Sequence, residues 1–163
     1  MNIQKCRKKD LNVLNKCLPM VKNKHQWRFD IQKQNKGAYL IAWQNNRPVG
    51  CLVLLFEGVD IAKIKNILQT CPDINYLYIH EDYRKRGIAT SLIKEACEIC
   101  VKNGYRQIGL LVDKNNKLAI ELYISFGFKN SNFGGFPGIN ITIKNGKEIR
   151  KREVAEYWIK DFS

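Results

Sequence analysis

Two hydrophobic periods share this chain. Short apolar runs rich in β-branched and aromatic residues, at 38–43, 49–56, 74–79 and 107–112, predict buried strands. Elsewhere apolar residues recur every three or four positions, which predicts helices over 88–102 and 116–126. Leu11, Leu14 and Leu18 mark an earlier helix, with Asp10 as its N-cap and Pro19 as its stop. Residues 1–6 predict a first strand, and 21–36 a second short helix followed by a loop. Asn45-Asn46-Arg47-Pro48 reads as a hairpin turn, and Asn103-Gly104 as the end of the 88–102 helix. The stretch 57–72 is an insertion with room for a short helix on Ile61, Ile64, Ile67 and Leu68. After residue 126 a Gly/Asn-rich loop is expected over 130–138. A strand at 139–144, an Asn145-Gly146 turn and a strand ending at 157–162 follow it. Strands interleaved with helices predict a mixed α/β sheet covered on both faces. No repeat, linker or low-complexity tract interrupts the pattern, so 1–163 is expected to form a single domain.

Chemistry concentrates where the 74–79 strand passes into the 88–102 helix. The connection contains Arg84-Lys85-Arg86-Gly87-Ile88-Ala89. A glycine turn at a helix N-terminus points successive N–H groups into one concavity, and the helix dipole adds positive potential there. Gly87 has no Cβ and Ala89 is small, so a ligand can approach the backbone closely. Such a turn suits phosphate. About thirty residues on, past the 107–112 strand, 116–128 reads N-x-x-A-x-x-x-Y-x-x-x-G-F.

Together these motifs resemble the GNAT superfamily of acyl-CoA-dependent N-acetyltransferases. Arg84, Gly87 and Ala89 match the family's [R/Q]-x-x-G-x-[G/A] turn. Asn116, Ala119, Tyr123, Gly127 and Phe128 match its second helix. The close match covers roughly residues 74 to 128; the flanks fit by their order of elements. The resemblance implies a mixed, mostly antiparallel sheet flanked by helices, with the 74–79 and 107–112 strands splayed apart to admit a pantetheine arm. It implies acetyl-CoA as co-substrate. The pyrophosphate would lie on the amides of Lys85, Arg86, Gly87, Ile88, Ala89 and Thr90, beside Arg84. Backbone of Leu77, Tyr78 and Ile79 would bond the pantetheine and polarise the thioester carbonyl. The Asn116 amide would hold the pantetheine end, a role compatible with helix capping.

The implied reaction is direct attack of a primary amine on the thioester in a ternary complex. Tyr123 is the candidate acid: a phenol with pKa about 10 suits a leaving thiolate near 8.5. Some family members carry a glutamate before the position of Val112, but Leu111 stands there. Asp73 is the first candidate base, with Tyr76, His80, Glu57 and a water wire to bulk as alternatives. The acceptor, a small-molecule or peptide amine, is expected between segments 21–36 and 130–138, where Trp27, Phe29, Phe133 and Phe136 lie.

Charge changes this picture little. The chain carries 28 Lys and Arg against 15 Asp and Glu, a formal net charge of +13. Twenty of the cations are lysines in short scattered clusters and sixteen residues are asparagine, a compositional bias rather than a designed stripe. A basic nucleic-acid-binding protein is the reading of a different class, and it lacks any helix-turn-helix, zinc-finger or RNP signature. A sensor that binds acyl-CoA without turning it over is the same-fold alternative. A homodimer is left open. No apolar run reaches membrane-span length and no secretory h-region opens the chain, so a cytoplasmic protein with no membrane partner is expected. The six cysteines form no disulfide framework. Cys97 and Cys100 share the apolar face of the 88–102 helix as small core residues, and His25 and His80 stand alone, so no metal is expected.

Overall fold

The computed structural model describes residues 1–20 and 23–163. Val21 and Lys22, the start of the predicted 21–36 segment, lie outside the described residues. Seven strands form one sheet in the order β1-β2-β3-β4-β5-β7-β6. They are β1 (Asn2–Lys5), β2 (Gly37–Gln44), β3 (Arg47–Leu55), β4 (Asp73–Ile79), β5 (Gln107–Asp113), β6 (Lys129–Lys144) and β7 (Lys147–Asp161). All neighbours run antiparallel except β4 and β5. The helices are α1 (Leu11–Cys17), α2 (Lys24–Lys33), α3 (Ala62–Ile67), α4 (Ile88–Lys102) and α5 (Lys117–Ser125). Among the described residues none is long and apolar enough to cross a membrane.

Alternation along the strands divides the core. Leu40, Ala42, Leu52 and Leu54 point to one face, where Leu92, Ile93 and Ala96 of α4 cover them. Tyr39, Ile41, Cys51 and Val53 point to the other, under Leu14 and Leu18 of the first helix region. Farther along that second face, Val59 and Ile64 of the insertion pack with Tyr157, and Phe133 and Phe136 of β6 join them. Cys97 and Cys100 pack as the sequence predicts: Cys100 is fully buried in the α4 cluster and Cys97 lies against it.

Local chemistry explains most boundaries. Asn45 and Asn46 both take positive φ, so β2 and β3 close through a two-residue turn, and Asn145-Gly146 does the same for β6 and β7. Gly104, with φ +79°, ends α4 as expected. Asp10 does not cap α1. Its carboxylate turns back to accept from the backbone N–H of Arg7 at 2.8 Å and from the Arg7 guanidinium at 2.9 and 3.0 Å, closing a 3-10 turn ahead of the helix. The N-terminal helices are fixed to the sheet by His25. One ring nitrogen meets the Tyr39 hydroxyl and the other the Leu18 carbonyl.

The 130–138 loop is corrected. These residues belong to β6, which runs as one strand from Lys129 to Lys144. Its register against β7 breaks between Asn130 and Gly135, where Asn132 and Gly134 adopt positive φ. Glycine and asparagine mark a bulge rather than a loop, because extra residues can be absorbed without ending the ladder. Beyond Gly138 the two strands pair only with each other and leave the sheet as a hairpin arm.

Where β4 meets β5, Gly109 and Tyr157 share one space. A Cβ on Gly109 would stand 2.0 Å from the Tyr157 hydroxyl oxygen. Gly109→Ala is therefore expected to destabilise the fold by about 1–3 kcal/mol, the usual scale of core overpacking. Tyr157→Phe in the same chain removes the closest atom and should recover part of that loss. A double-mutant cycle by denaturant unfolding checks it; additive effects would mean the two residues are not coupled.

Candidate active site

The site begins with a failure of pairing. β4 and β5 are joined at Asp73↔Gly109 and Ile74↔Leu110, and among the described residues at no later position. β5 continues against β7 through Asp113, while β4 continues against β3 through Ile79. The strands therefore part, as the splayed fold requires. The His80 N–H donates to the Val49 carbonyl at 2.9 Å. Because backbone groups alternate sides along a strand, those of Tyr78 also face β3, and those of Leu77 and Ile79 face the opening. Of the three predicted backbone contacts, Leu77 and the N–H of Ile79 are thus free on the open side, the Ile79 carbonyl is taken by Arg84, and Tyr78 is engaged in the sheet.

The open edge leads into the glycine turn. After the 3-10 turn Glu81–Tyr83, Lys85 takes φ 59° and Gly87 takes φ 77° directly before α4. The first N–H of α4 to close the helix is that of Ser91, on the Gly87 carbonyl at 3.1 Å. Among the described residues no acceptor takes the N–H of Lys85, Arg86, Gly87, Ile88, Ala89 or Thr90. A Cβ at Gly87 would meet no protein atom within 4 Å, so the glycine answers to the left-handed φ and to whatever approaches the turn. The turn is exposed apart from buried Ile88 and half-buried Ala89. Both arginine side chains have partners within the protein. Arg84 Nε donates to the Ile79 carbonyl at 3.1 Å, tying the turn to the strand end, and Arg86 stacks on the Tyr83 ring at 5.2 Å.

Asn116 caps α5: its side-chain oxygen accepts from the Ala119 N–H at 3.2 Å, which leaves its amide NH₂ available. Tyr123 is 8% exposed and packs edge-on to Phe128 at 5.8 Å. Burial, with a contribution from the charge of Asp73, pushes its pKa up to about 12.

Asp73 sits at the foot of the opening. It is 1% exposed, its Oδ1 meets no hydrogen-bond partner, and Asn75 Nδ2 reaches Oδ2 only at 3.5 Å. Burial pushes the carboxyl up to about 7, against the opposing pull of Asn75 and Tyr157. Tyr157, which the sequence does not single out, stands beside it with its hydroxyl 3.7 Å from Cys71 Sγ. The signal that could have found it is Gly109, a glycine inside a central strand with no turn to explain it. The alternative bases are otherwise engaged or exposed. Glu57 is exposed beyond β3, His80 Nδ1 accepts from the Asp82 N–H at 3.3 Å, and Tyr76 lies beneath Arg28. Leu111 packs with the Tyr157 cluster.

Of the predicted acceptor aromatics, Phe133 stacks on Tyr157 with ring centroids 6.3 Å apart, and Phe136 packs beside it. Phe29 packs beneath α2, and Trp27 is 46% exposed under the Lys24 ammonium. Among the described residues no three His, Cys, Asp or Glu side chains gather as a metal site would need.

Residues 10–128 match the family model described as acetyltransferase (GNAT) family. An uncharacterized N-acetyltransferase of Methanocaldococcus jannaschii is 34% identical over 106 residues, 64% of this chain and 45% of that protein, so the match spans less than half of that relative's length. The crystal structure of ribosomal-protein-alanine N-acetyltransferase from Brucella melitensis aligns with a TM-score of 0.72 at 18% identity, covering 99% of this chain and 100% of the other. Arabidopsis thaliana Naa50 in complex with the bisubstrate analogue CoA-Ac-MVNAL aligns with a TM-score of 0.68 at 23% identity, covering 99% and 98%. At these identities the structural likeness is one of fold.

The raised pKa of Asp73 has a measurable consequence. Between its ordinary value of 3.8 and about 7, the folded protein holds a proton that the unfolded chain has lost. On this group alone, stability is fullest below pH 4 and falls as pH rises to about 7. Asp73→Asn lacks that dependence, so its stability relative to the parent should grow from pH 4 to 7 and then level, by on the order of 4 kcal/mol at most. Chemical denaturation across pH checks this; a constant difference would place the Asp73 carboxyl in an ordinary solvated setting.

Proposed function

The chain belongs to the GNAT acetyltransferase family, and from that premise we propose that it transfers acetyl from acetyl-CoA to a primary amine by direct attack in a ternary complex. The observation that carries the reading is the run of unpaired backbone groups, from Leu77 and the Ile79 N–H on the open edge of β4 to the six amides of Lys85–Thr90. An extended pantetheine arm can add to that edge as a short strand would, and a pyrophosphate can take the amides at its far end. Asn116 has its NH₂ free at the opposite lip of the opening. The Naa50 complex holds a conjugate of CoA, acetyl and peptide. A molecule of that kind spans both substrates of a direct transfer, and its binding to a protein of this fold supports the same order of events here.

The chemistry assigns one task to each group. The amine lone pair attacks the thioester carbon, and an unpaired N–H on the β4 edge receives the developing oxyanion. Asp73, directly or through one water, takes the proton that the ammonium must lose; a carboxyl near pH 7 is a better base than one near 4. Collapse of the tetrahedral intermediate breaks the C–S bond. Tyr123, protonated throughout the working range, donates to the departing sulfur. The charge of Asp73 raises the pKa of Tyr123, so protonation of Asp73 favours proton donation by Tyr123. The acceptor is an amine of a small molecule or a peptide terminus, and the setting is the cytoplasm, where six free thiols persist.

Thiol release from acetyl-CoA across polyamines, aminoglycosides, amino acids and N-terminal peptides tests the reading; silence across the panel would favour a sensor. Within an active pair, Tyr123→Phe should lower kcat by roughly a hundredfold with little change in acetyl-CoA affinity. The loss should shrink at low pH, where solvent protonates the thiolate. Near-parental turnover in a folded variant would return Tyr123 to a packing role. Gly87→Val has room for its Cβ but strains the left-handed φ of +77°; the strain falls on an exposed turn, so the fold is verified by circular dichroism before binding is measured. Calorimetry should show its acetyl-CoA binding abolished, and unchanged affinity would remove the turn from the site.

A further inference from the structure

Arg28 is a cation without a counter-ion. It projects from α2 onto the sheet face opposite α4 and is only 6% exposed. Its guanidinium lies 3.9 Å above the Tyr76 ring and 5.9 Å from the Tyr39 ring. No ion pair among the described residues includes it. Among the described residues its Nε is buried with no acceptor, and Nη1 donates to the thioether sulfur of Met20, a weak acceptor. Buried arginines are ordinarily paired with carboxylates or backbone oxygens, because an uncompensated interior charge costs more than ring stacking returns.

The stacking geometry shows what is missing. Tyr76 covers the flat face of the guanidinium, whereas a carboxylate binds in its plane, along the fork of N–H groups. Along that edge the identified contact is Met20, a half-buried and unbranched side chain that can swing aside without moving backbone. Tyr76 lies three positions along β4 from Asp73, across the register shift opposite Val53 and Leu54. An anion held over Tyr76 would therefore sit beside the foot of the opening, about 10 Å along the strand from the candidate base.

We propose that Arg28 is the anion-recognising residue of the acceptor pocket, and that the acceptor is an amine bearing a carboxylate a few bonds away. The inference rests on the acetyl-transfer reading and narrows it to a substrate class. The carboxylate displaces Met20 and takes the fork of Arg28, which orients the amine toward Asp73 and the thioester. The net charge of +13 draws such acceptors toward the protein before contact is made.

The test compares matched acceptors in the thiol-release assay. Free amino acids are set against their α-amides, and tripeptides with Asp or Glu at each position against the same peptides with Asn or Gln. The parent protein should prefer the carboxylate member of one series by at least about tenfold in kcat/KM, the scale of hydrogen bonds to a charged group. An α-carboxylate preference identifies a free amino acid and a side-chain preference identifies an acidic peptide. Arg28→Met should erase the preference, leave the neutral partner within about twofold, and match or exceed the parent in melting temperature, since an apolar side chain suits this burial better than an unpaired charge. Arg28→Lys keeps the charge, loses the fork and should retain only part of the preference; it also carries the test if Arg28→Met does not fold. Equal turnover of both members by the parent, or equal losses on both in the variants, would overturn the proposal while acetyl transfer stands. If no acceptor releases thiol, the acetyl-transfer reading falls. Calorimetry of the same pairs then decides Arg28 alone: carboxylate-dependent binding lost in the variants supports it, and its absence rejects it.

Discussion

β4 and β5 share two residue pairs and then separate, each held by a partner on its other side. Parallel pairing is slightly the weaker kind per residue, while the antiparallel ladders to β3 and β7 run the length of both strands. Once the outer ladders are satisfied, the inner edge can open. A register shift within the β3–β4 ladder adds local twist where the separation begins. The result is an unusual object in a sheet: interior strand edge with N–H and C=O groups that face an opening instead of a neighbour. Unpaired interior backbone demands a partner, and an extended, amide-bearing ligand arm supplies one. The geometry of the coenzyme half follows from that single divergence.

The polar groups at the foot of the opening follow from it too. Asp73 is the first residue of β4, fixed between Gly109 on β5 and Leu55 on β3, and so is carried into the interior. The space beside it exists because Gly109 lacks a side chain, and Tyr157 fills it. In this low-dielectric pocket burial makes each acidic group harder to ionise: it raises Asp73, Tyr123, Tyr157 and Cys71 alike, and the Asp73 charge adds to all three partners. A buried carboxyl without full hydrogen bonding is a poor structural choice and a good proton acceptor near neutrality. Arg28 repeats the pattern with opposite sign on the same face. Under the proposed function both residues trade stability for chemistry that a well-packed apolar side chain could not perform.

What the sequence made legible was local. The two motifs read correctly because their spacing maps onto strand, turn and helix, and the asparagine pairs read correctly because a tight hairpin needs positive φ at both positions. The misreadings arose where long-range register decides. Residues 130–138 carry loop composition, yet β7 holds them in a ladder by absorbing the excess as a bulge. Asp10 has the right identity and place for an N-cap, but the Arg7 guanidinium beside it outcompetes the helix amides. Tyr78 could not be told from Leu77 and Ile79, because which backbone faces the opening depends on the β3 register. Arg28 was invisible because a charge on a short polar helix ordinarily points to solvent; only the packing of α2 onto β2 turns it inward. Tyr157 was hidden for the same reason, as one aromatic among several in a terminal strand.

The two halves of the candidate site are built from different materials, and this explains why one half is readable and the other is not. The proposed coenzyme half is backbone: strand edge at Leu77 and Ile79, amides of 85–90, and a left-handed glycine. Backbone geometry constrains sequence only at the few positions where a side chain would intrude or a dihedral would be strained, and those positions make a short, fixed motif. The proposed acceptor half is side chains from distant elements, with Arg28 on α2, Tyr76 and Asp73 on β4, Phe133 on β6 and Tyr157 on β7. No spacing rule connects them, since each is delivered by the fold and not by its neighbours in the chain. A fold of this kind can therefore keep its coenzyme while changing its acceptor through single substitutions on separate elements. The identity of the acceptor must be sought in the buried charges facing the opening, where the cost of keeping them is highest.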